Sequence, residues 1–261
     1  MLQISAVIIS LNEQDRIERC IKSLQSVTDD IVVLDSFSTD NTEVICKRLG
    51  VRFYQNQFKG YRDQKNDALS FAKYDHVLSL DADEALSDEL CKSIQKVKSD
   101  WKFDAYYCNR LNNFYGQWLN HSSWYPDKKI RLFDRRKGSW GGYNLHETIQ
   151  MNKNASVSSL KGDLLHWVFD TYDEHLDKAN RYSTIGALEY YKGGRKANLF
   201  SPILHMIWRF VKSYIVRRGF LDGFNGFVIC SIDSFTCFLK YVKLRNLILR
   251  SRRKVLEMHK I

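Results

Sequence analysis

The feature that most constrains this chain is a regular alternation of short apolar runs with helix-period segments. The apolar runs cover 6–10, 31–34, 51–54 and 76–80, and the helix-like segments between them cover 15–26, 41–49 and 63–72. Strands separated by helices predict βαβ units and a parallel sheet. In such a sheet, ligands gather at the carboxyl ends of the strands. The polar clusters fall there: Asn12-Glu13 after the first run, Asp35-Ser36 after the second, Asp81-Ala82-Asp83 after the fourth. Each cluster alone could simply cap the helix that follows it. All three together are better explained as one site. Past Glu84 the periodicity predicts a helix over 86–98, a strand over 105–108 and a helix over 173–191. The polar, aromatic-rich stretch 109–146 has no clear period.

The segment Leu80-Asp81-Ala82-Asp83-Glu84 carries the most chemistry. Two carboxylates either side of one small residue supply hard oxygen ligands. They can reach a divalent cation directly and through water, and can orient a sugar hydroxyl. Acidic turns of this kind are common, so the position matters more than the motif. Directly after a buried strand, with two other polar clusters upstream, it reads as a metal–diphosphate site.

The runs Ile9-Ser10-Leu11-Asn12-Glu13, Val33-Leu34-Asp35-Ser36 with Phe37 to Thr42 behind it, and Leu80 to Glu84 resemble family-2 glycosyltransferases of the GT-A fold. The resemblance continues through Ile130-Arg131-Leu132-Phe133 and Asn144-Leu145-His146-Glu147, over about the first 190 residues. The pattern is most like bacterial enzymes that add a β-linked glucose to the inner-core heptose of lipopolysaccharide. The resemblance implies an α/β fold, a mostly parallel sheet flanked by helices, that transfers a hexose with inversion from a UDP-sugar to a lipid-linked saccharide acceptor. It also implies roles. Asp35 would hydrogen-bond the uracil, and Ser10, Leu11, Asn12 and Glu13 would contact the nucleoside. Asp83 would ligate Mg²⁺ or Mn²⁺, while Asp81, with Ala82 beside it, would touch ribose or sugar. Arg62, Lys65 and Asn66 would form a donor-side face on the helix before the metal strand.

The mechanism follows from charge. The departing diphosphate needs neutralising, which a metal does as a Lewis acid. The acceptor hydroxyl needs a base on the opposite face of the sugar. Glu147 is one candidate, with His146 as a third metal ligand or diphosphate contact, although His146-Glu147 also reads as a surface pair. Asp127, after Trp124-Tyr125-Pro126, is the competing base. Arg131 is either a diphosphate contact or the partner of a buried carboxylate. His166 reads as a core histidine, though His166-Trp167 also resembles a junction in the same family.

Charge divides the chain into a body over 1–195 and an amphipathic helical tail over 196–261. Of the net +10, a net +9 lies in 203–261, where 12 Lys/Arg meet 3 Asp/Glu. An amphipathic helix is expected over 203–218, a break over 219–226, and a second apolar segment over 227–242. Lys240, Lys243, Arg245, Arg250, Arg252, Arg253 and Lys254 cluster on and beyond it. Apolar faces beside Lys and Arg suit a helix lying among lipid headgroups, and each cation near an anionic surface contributes about 1 kcal/mol. An anionic membrane is therefore the expected partner, and nucleic acid is not, because no nucleic-acid motif accompanies the charge. The expected location is peripheral, on the cytoplasmic face of a bacterial inner membrane. Six scattered cysteines without CxxC spacing predict reduced thiols. The first residues lack a basic leader, and no apolar run reaches spanning length. Two other classes compete. A nucleotidyltransferase would want a glycine-rich basic loop, and 10–19 contains no glycine. A non-catalytic basic adaptor would leave the three acidic clusters unexplained.

Overall fold

The computed structural model describes residues 2–142, 147–169 and 171–258, the last seven of these by backbone alone. Internal packing divides the chain into two compact units, 1–112 with 127–167, and 113–126 with 168–261.

The first unit begins with the expected alternation: β1 (Ile4–Ser10), α1 (Ile17–Leu24), β2 (Asp30–Asp35), α2 (Thr42–Arg48), β3 (Arg52–Gln55), α3 (Tyr61–Ser70) and β4 (His76–Asp81). β5 (Glu84–Leu86), α4 (Asp88–Ser99), β6 (Ala105–Phe114), β7 (Gln117–Leu119), β8 (Asp127–Asp134), β9 (Gly138–Gly141), β10 (Thr148–Met151) and β11 (Val157–Phe169) follow in the chain, β7 falling within the second unit. The nine-stranded sheet runs β3-β2-β1-β4-β8-β6-β11-β5, with β7 on β6, and β9 and β10 form a separate antiparallel pair. Strands β1 to β4 are mutually parallel where they pair. β8 returns antiparallel to β4 and to β6, and β11 antiparallel to β5. Among the described residues, 109–142 is thus largely strand, with side chains whose alternation is masked by polar and aromatic residues.

Both faces of the parallel part are covered. Ile4, Ala6 and Ile8 of β1, with Leu78 and Leu80 of β4, pack against Ile17, Cys20, Ile21 and Leu24 of α1 and Leu90 and Ile94 of α4. Val7, Val32, Leu34 and Val77 point the other way, onto Ala68 and Leu69 of α3 and onto Phe133 and Trp140. Successive strand residues alternate faces, so a strand buried on both sides must be apolar throughout. That is why these runs read clearly from sequence. Gly162 in β11 (φ +86) passes so close to α4 that a Cβ there would lie 2.3 Å from the Leu90 backbone nitrogen. All six cysteines are free thiols.

The second unit contains α5 (Tyr172–Lys192), α6 (Ser201–Phe210) and α7 (Gly223–Met258). Between α6 and α7 the chain makes a wide π turn over Val211–Val216 and a tight 3-10 turn over Gly219–Asp222. The break expected over 219–226 is therefore shorter, because α7 already begins at Gly223. Lys243 of α7 donates to Asn180 O at 2.9 Å and to Ser183 Oγ and Thr184 Oγ1 of α5 at 2.8 and 2.7 Å. Lys240 donates to Tyr190 Oη at 3.1 Å. Two cations of the basic cluster thus hold α7 on α5. No helix among the described residues is long and apolar enough to cross a membrane.

Candidate active site

Register places the polar clusters at one edge of the sheet. Ser10 of β1 pairs with Asp35 of β2, and Ile9 pairs with Asp81 of β4. Asp35 is fully buried. Its carboxylate accepts from Ser10 Oγ at 2.8 Å, Ser38 N at 2.6 Å and Ser38 Oγ at 2.5 Å. Asn12 sits at φ 55 in the left-handed region, which Asn tolerates better than most residues. There its Oδ1 accepts from Thr39 N at 2.8 Å, while its own N–H donates to Ser38 Oγ at 2.7 Å. Glu13 N donates to Thr42 Oγ1 at 2.9 Å. The loops after β1 and β2 are thereby tied into one surface, on which Leu11 and Phe37 stand exposed.

Asp81 lies at the centre of a buried ion network. Lys65 Nζ, almost wholly buried on α3, is 2.8 Å from Asp81 Oδ1 and 3.1 Å from Glu147 Oε1. Arg131 Nη2 lies 3.2 Å from Asp81 Oδ2 and 2.6 Å from Glu84 Oε1. Arg110 Nη1 is 3.5 Å from Glu84 Oε1, and its Nη2 is 2.8 Å from Asp127 Oδ2. An unbroken chain of alternating charge therefore joins one candidate base to the other: Glu147, Lys65, Asp81, Arg131, Glu84, Arg110, Asp127. Burial by itself would raise the Asp81 carboxyl, but the Lys65 ammonium and the Arg131 guanidinium outweigh it and hold the group well below the usual carboxylate range. Burial likewise works against the Arg131 charge, and Glu84 and Asp81 overcome it, raising that guanidinium further. Trp140 of β9 covers the network, with Lys65 Nζ 4.4 Å from its ring centroid. Asn66 fixes that cover by exchanging hydrogen bonds with the Trp140 backbone at 2.9 and 3.0 Å.

Asp83, two residues on, faces a different partner. His166 Nε2 is 3.3 Å from Asp83 Oδ2, because the antiparallel β5–β11 ladder sets His166 opposite Glu84. His166 Nδ1 is 2.7 Å from Asn112 Oδ1. With the amide oxygen toward it, Nδ1 donates, and a neutral ring then turns its Nε2 lone pair toward the carboxylate. A cation between a carboxylate and an imidazole lone pair satisfies both. The Glu13 carboxyl is raised by its burial and then by the negative charge of Asp83, while Arg16, 3.2 Å from it, works the other way. Asp83 and His166 are thus the residues that would hold a divalent cation, and an imidazole ligand suits Mn²⁺ better than Mg²⁺. Among the described residues, no three His, Cys, Asp or Glu converge at metal-ligating spacing.

Of the residues picked out from sequence, Ser10, Asn12, Glu13 and Asp35 form the tied loops, with Leu11 exposed beside them. Lys65, Asp81, Arg131 and Glu147 meet in the ion network, which Asp127 joins through Arg110, and Asn66 holds the Trp140 cover over it. Ala82 is buried between the two aspartates. Arg62 is instead exposed and paired with its neighbour Asp63 at 2.8 Å. His146 lies outside the described residues. Arg131 is the partner of buried carboxylates, the second of its two expected roles. Sequence reasoning gave Glu84 no role of its own and missed Arg110 and Trp140; it read His166 as a core histidine, and the residue is buried on Asn112 but also meets Asp83. Only the strand pairing of 157–169, a stretch to which no element was assigned, could have brought His166 to the acidic turn.

The model for glycosyl transferase family 2 matches residues 5–161. An uncharacterized glycosyltransferase of Rickettsia typhi is 35% identical over 262 residues, covering 97% of this chain and 90% of the relative. The lipopolysaccharide core biosynthesis glycosyltransferase LpsC of Rhizobium meliloti is 28% identical over 251 residues, covering 93% of this chain and 92% of the relative. Among solved structures, a mannosyltransferase from Pyrobaculum calidifontis in complex with GDP-Man and Mn²⁺ aligns at a TM-score of 0.52 and 15% identity. That alignment covers 93% of this chain and 86% of the other, and shows the GT-A-like α/β fold. On the family match and the full-length relatives, the chain belongs to glycosyl transferase family 2 and is a glycosyltransferase.

Proposed function

We propose that this glycosyltransferase moves a hexose, glucose foremost, from a UDP-sugar to a lipid-linked saccharide such as the inner-core heptose of lipopolysaccharide, by a single inverting displacement. The observation that carries the reading is the pairing of Asp83 with His166 at the strand edge, beside the buried network that ends on Glu147. A Mg²⁺ or Mn²⁺ ion on that pair would neutralise the departing diphosphate. The tied loops of Ser10, Asn12, Glu13 and Asp35 form the nucleoside platform, with Leu11 exposed for contact with the base. Asp81, pinned by two cations, stays ionised and presents fixed acceptors to ribose or sugar hydroxyls. Glu147 takes the acceptor proton, and Lys65 sets the position of its carboxylate. Asp127, held by Arg110 and Lys129 at 2.8 and 3.1 Å, is less free to do so. LpsC, similar along nearly its whole length, is a lipopolysaccharide core enzyme, which supports the acceptor class. The basic end of α7 supports a peripheral position at the cytoplasmic face of an anionic inner membrane.

The test is a donor screen: purified protein, Mn²⁺ or Mg²⁺, UDP-glucose, UDP-galactose and GDP-mannose, each with detergent-dispersed core lipopolysaccharide. Acceptor-dependent UDP release with glucose on the acceptor is the expected result. Transfer from GDP-mannose alone would overturn the donor. Transfer without any divalent ion, in chelator, would overturn the metal.

A further inference from the structure

We infer that the turn between α6 and α7 is a preformed apolar prong that inserts into an anionic lipid surface. The inference rests on the reading that the enzyme works at a membrane, and it names the part that enters the bilayer.

The turn is held rigid from inside. Asp222, buried, accepts from Asn120 N at 3.1 Å and His121 N at 3.0 Å, and sits 2.8 Å from His121 Nδ1. Gln117 Nε2 donates to Asp222 O at 2.8 Å, and Ser122 N donates to Arg217 O at 3.0 Å. Gly219 and Gly226 approach so closely that a Cβ on Gly226 would lie 2.0 Å from Gly219 O. Backbone conformation is spent as well: Arg218 is left-handed at φ 56, and Gly223 at φ 64, ψ −143 occupies a region only glycine enters freely.

What this scaffold presents outward is apolar. Val216, Phe220, Leu221 and Phe224 are 64%, 47%, 55% and 76% exposed, with Ile215 beside them. A flexible loop would fold such side chains inward, whereas this one holds them in water. Rigid presentation lowers the ordering cost of inserting them. The charges around the prong select the occupant. Lys212, Arg217 and Arg218 are exposed, and the one acidic residue between 199 and 232 is the buried Asp222. A second copy meeting this surface through a two-fold axis would set cations against cations. An anionic bilayer accepts the apolar tips in its interface and the cations among its headgroups.

Flotation of the full chain with phosphatidylethanolamine–phosphatidylglycerol vesicles at 0.15 M and 1 M NaCl tests this. The prong variant Phe220→Ser, Leu221→Ser, Phe224→Ser is compared with a charge variant in which Arg250, Arg252, Arg253 and Lys254 become Gln. Phe224→Ser alone serves should the triple change impair folding, which thermal melting checks. Wild type should keep a bound fraction at 1 M salt, because insertion is not screened. The prong variant should lose that fraction, with affinity at 0.15 M down by about 100-fold, and Phe224→Ser should lose part of it. The charge variant should keep the salt-resistant fraction. Folded prong variants that bind as wild type does would overturn the prong and leave membrane attachment standing. A wild type that does not float at all would overturn both. A dimer in light scattering that the prong variant dissolves, with flotation unchanged, would give the surface to a second copy and overturn the inference.

Discussion

Replacing Lys65 with Met is the sharpest test of the network, because it keeps the unbranched stem and removes the terminal ammonium and its charge. At 2.8 Å and an effective dielectric of about 20, the attraction between Lys65 and Asp81 is on the order of 6 kcal/mol before desolvation is counted. Burying the ammonium takes back much of that, and removing one partner of a buried pair typically costs roughly 3–5 kcal/mol. Here Asp81 keeps Arg131 at 3.2 Å and a quarter of its side chain remains exposed, so the expected loss is smaller, about 2–3 kcal/mol at pH 7. The sign of the pH dependence follows from the depressed Asp81 carboxyl. A carboxylate with a lowered folded pKa stabilises the fold above its unfolded value, near 4, and that stability is lost as pH falls toward the folded one. Without Lys65, burial raises the carboxyl, so the variant is relieved by protonation sooner. The gap between wild type and Lys65→Met should therefore be widest at pH 7 and narrow below about pH 4. Urea unfolding followed by tryptophan fluorescence at pH 7 and pH 3.5 reads both. A variant as stable as wild type at pH 7, or a gap that widens in acid, would refute the electrostatic account of Lys65.

Three further outcomes are expected. Asp83→Ala should abolish transfer and Mn²⁺ binding by calorimetry while the melting temperature stays within a few degrees, since the side chain lies at the sheet edge; normal turnover at saturating Mn²⁺ would move the metal elsewhere. Glu147→Gln keeps the shape but cannot accept a proton, so kcat should fall by about 10²–10⁴-fold with donor affinity nearly unchanged; full activity would shift the base to Asp127. Gly162→Ala combines a left-handed φ with a Cβ 2.3 Å from the Leu90 nitrogen, so it should cost on the order of 3 kcal/mol or more, and a urea midpoint equal to wild type would show that β11 and α4 separate easily.

The first four strands and their helices were legible because a strand buried on both faces must be apolar throughout, and three polar clusters at their ends then stand out. The βαβ alternation also put the ends of β1, β2 and β4 at one edge, where the structure sets Asp35 and Asp81. The 109–169 region resisted, because its strands carry polar and aromatic residues that serve the site rather than the core: Arg110, Asn112, Asp127 and Arg131 sit on β6 and β8 as parts of buried networks, and no periodicity marks them. His166 and Asp83 are 83 residues apart in sequence, and only the antiparallel pairing of β11 with β5 brings them within 3.3 Å. Arg62 and Lys65, three residues apart on one helix, looked alike, yet one is exposed beside Asp63 and the other is buried between Asp81 and Glu147. In the tail, composition gave the excess of cations, and folding divided it, with Lys240 and Lys243 bound to α5 while Arg217 and Arg218 stand at the apolar turn. Local pattern thus determines which elements form and what types of group they carry, because secondary structure and burial act over a few residues. Which charged groups meet depends on how distant strands pair and helices pack, and that is decided only when the whole chain is folded.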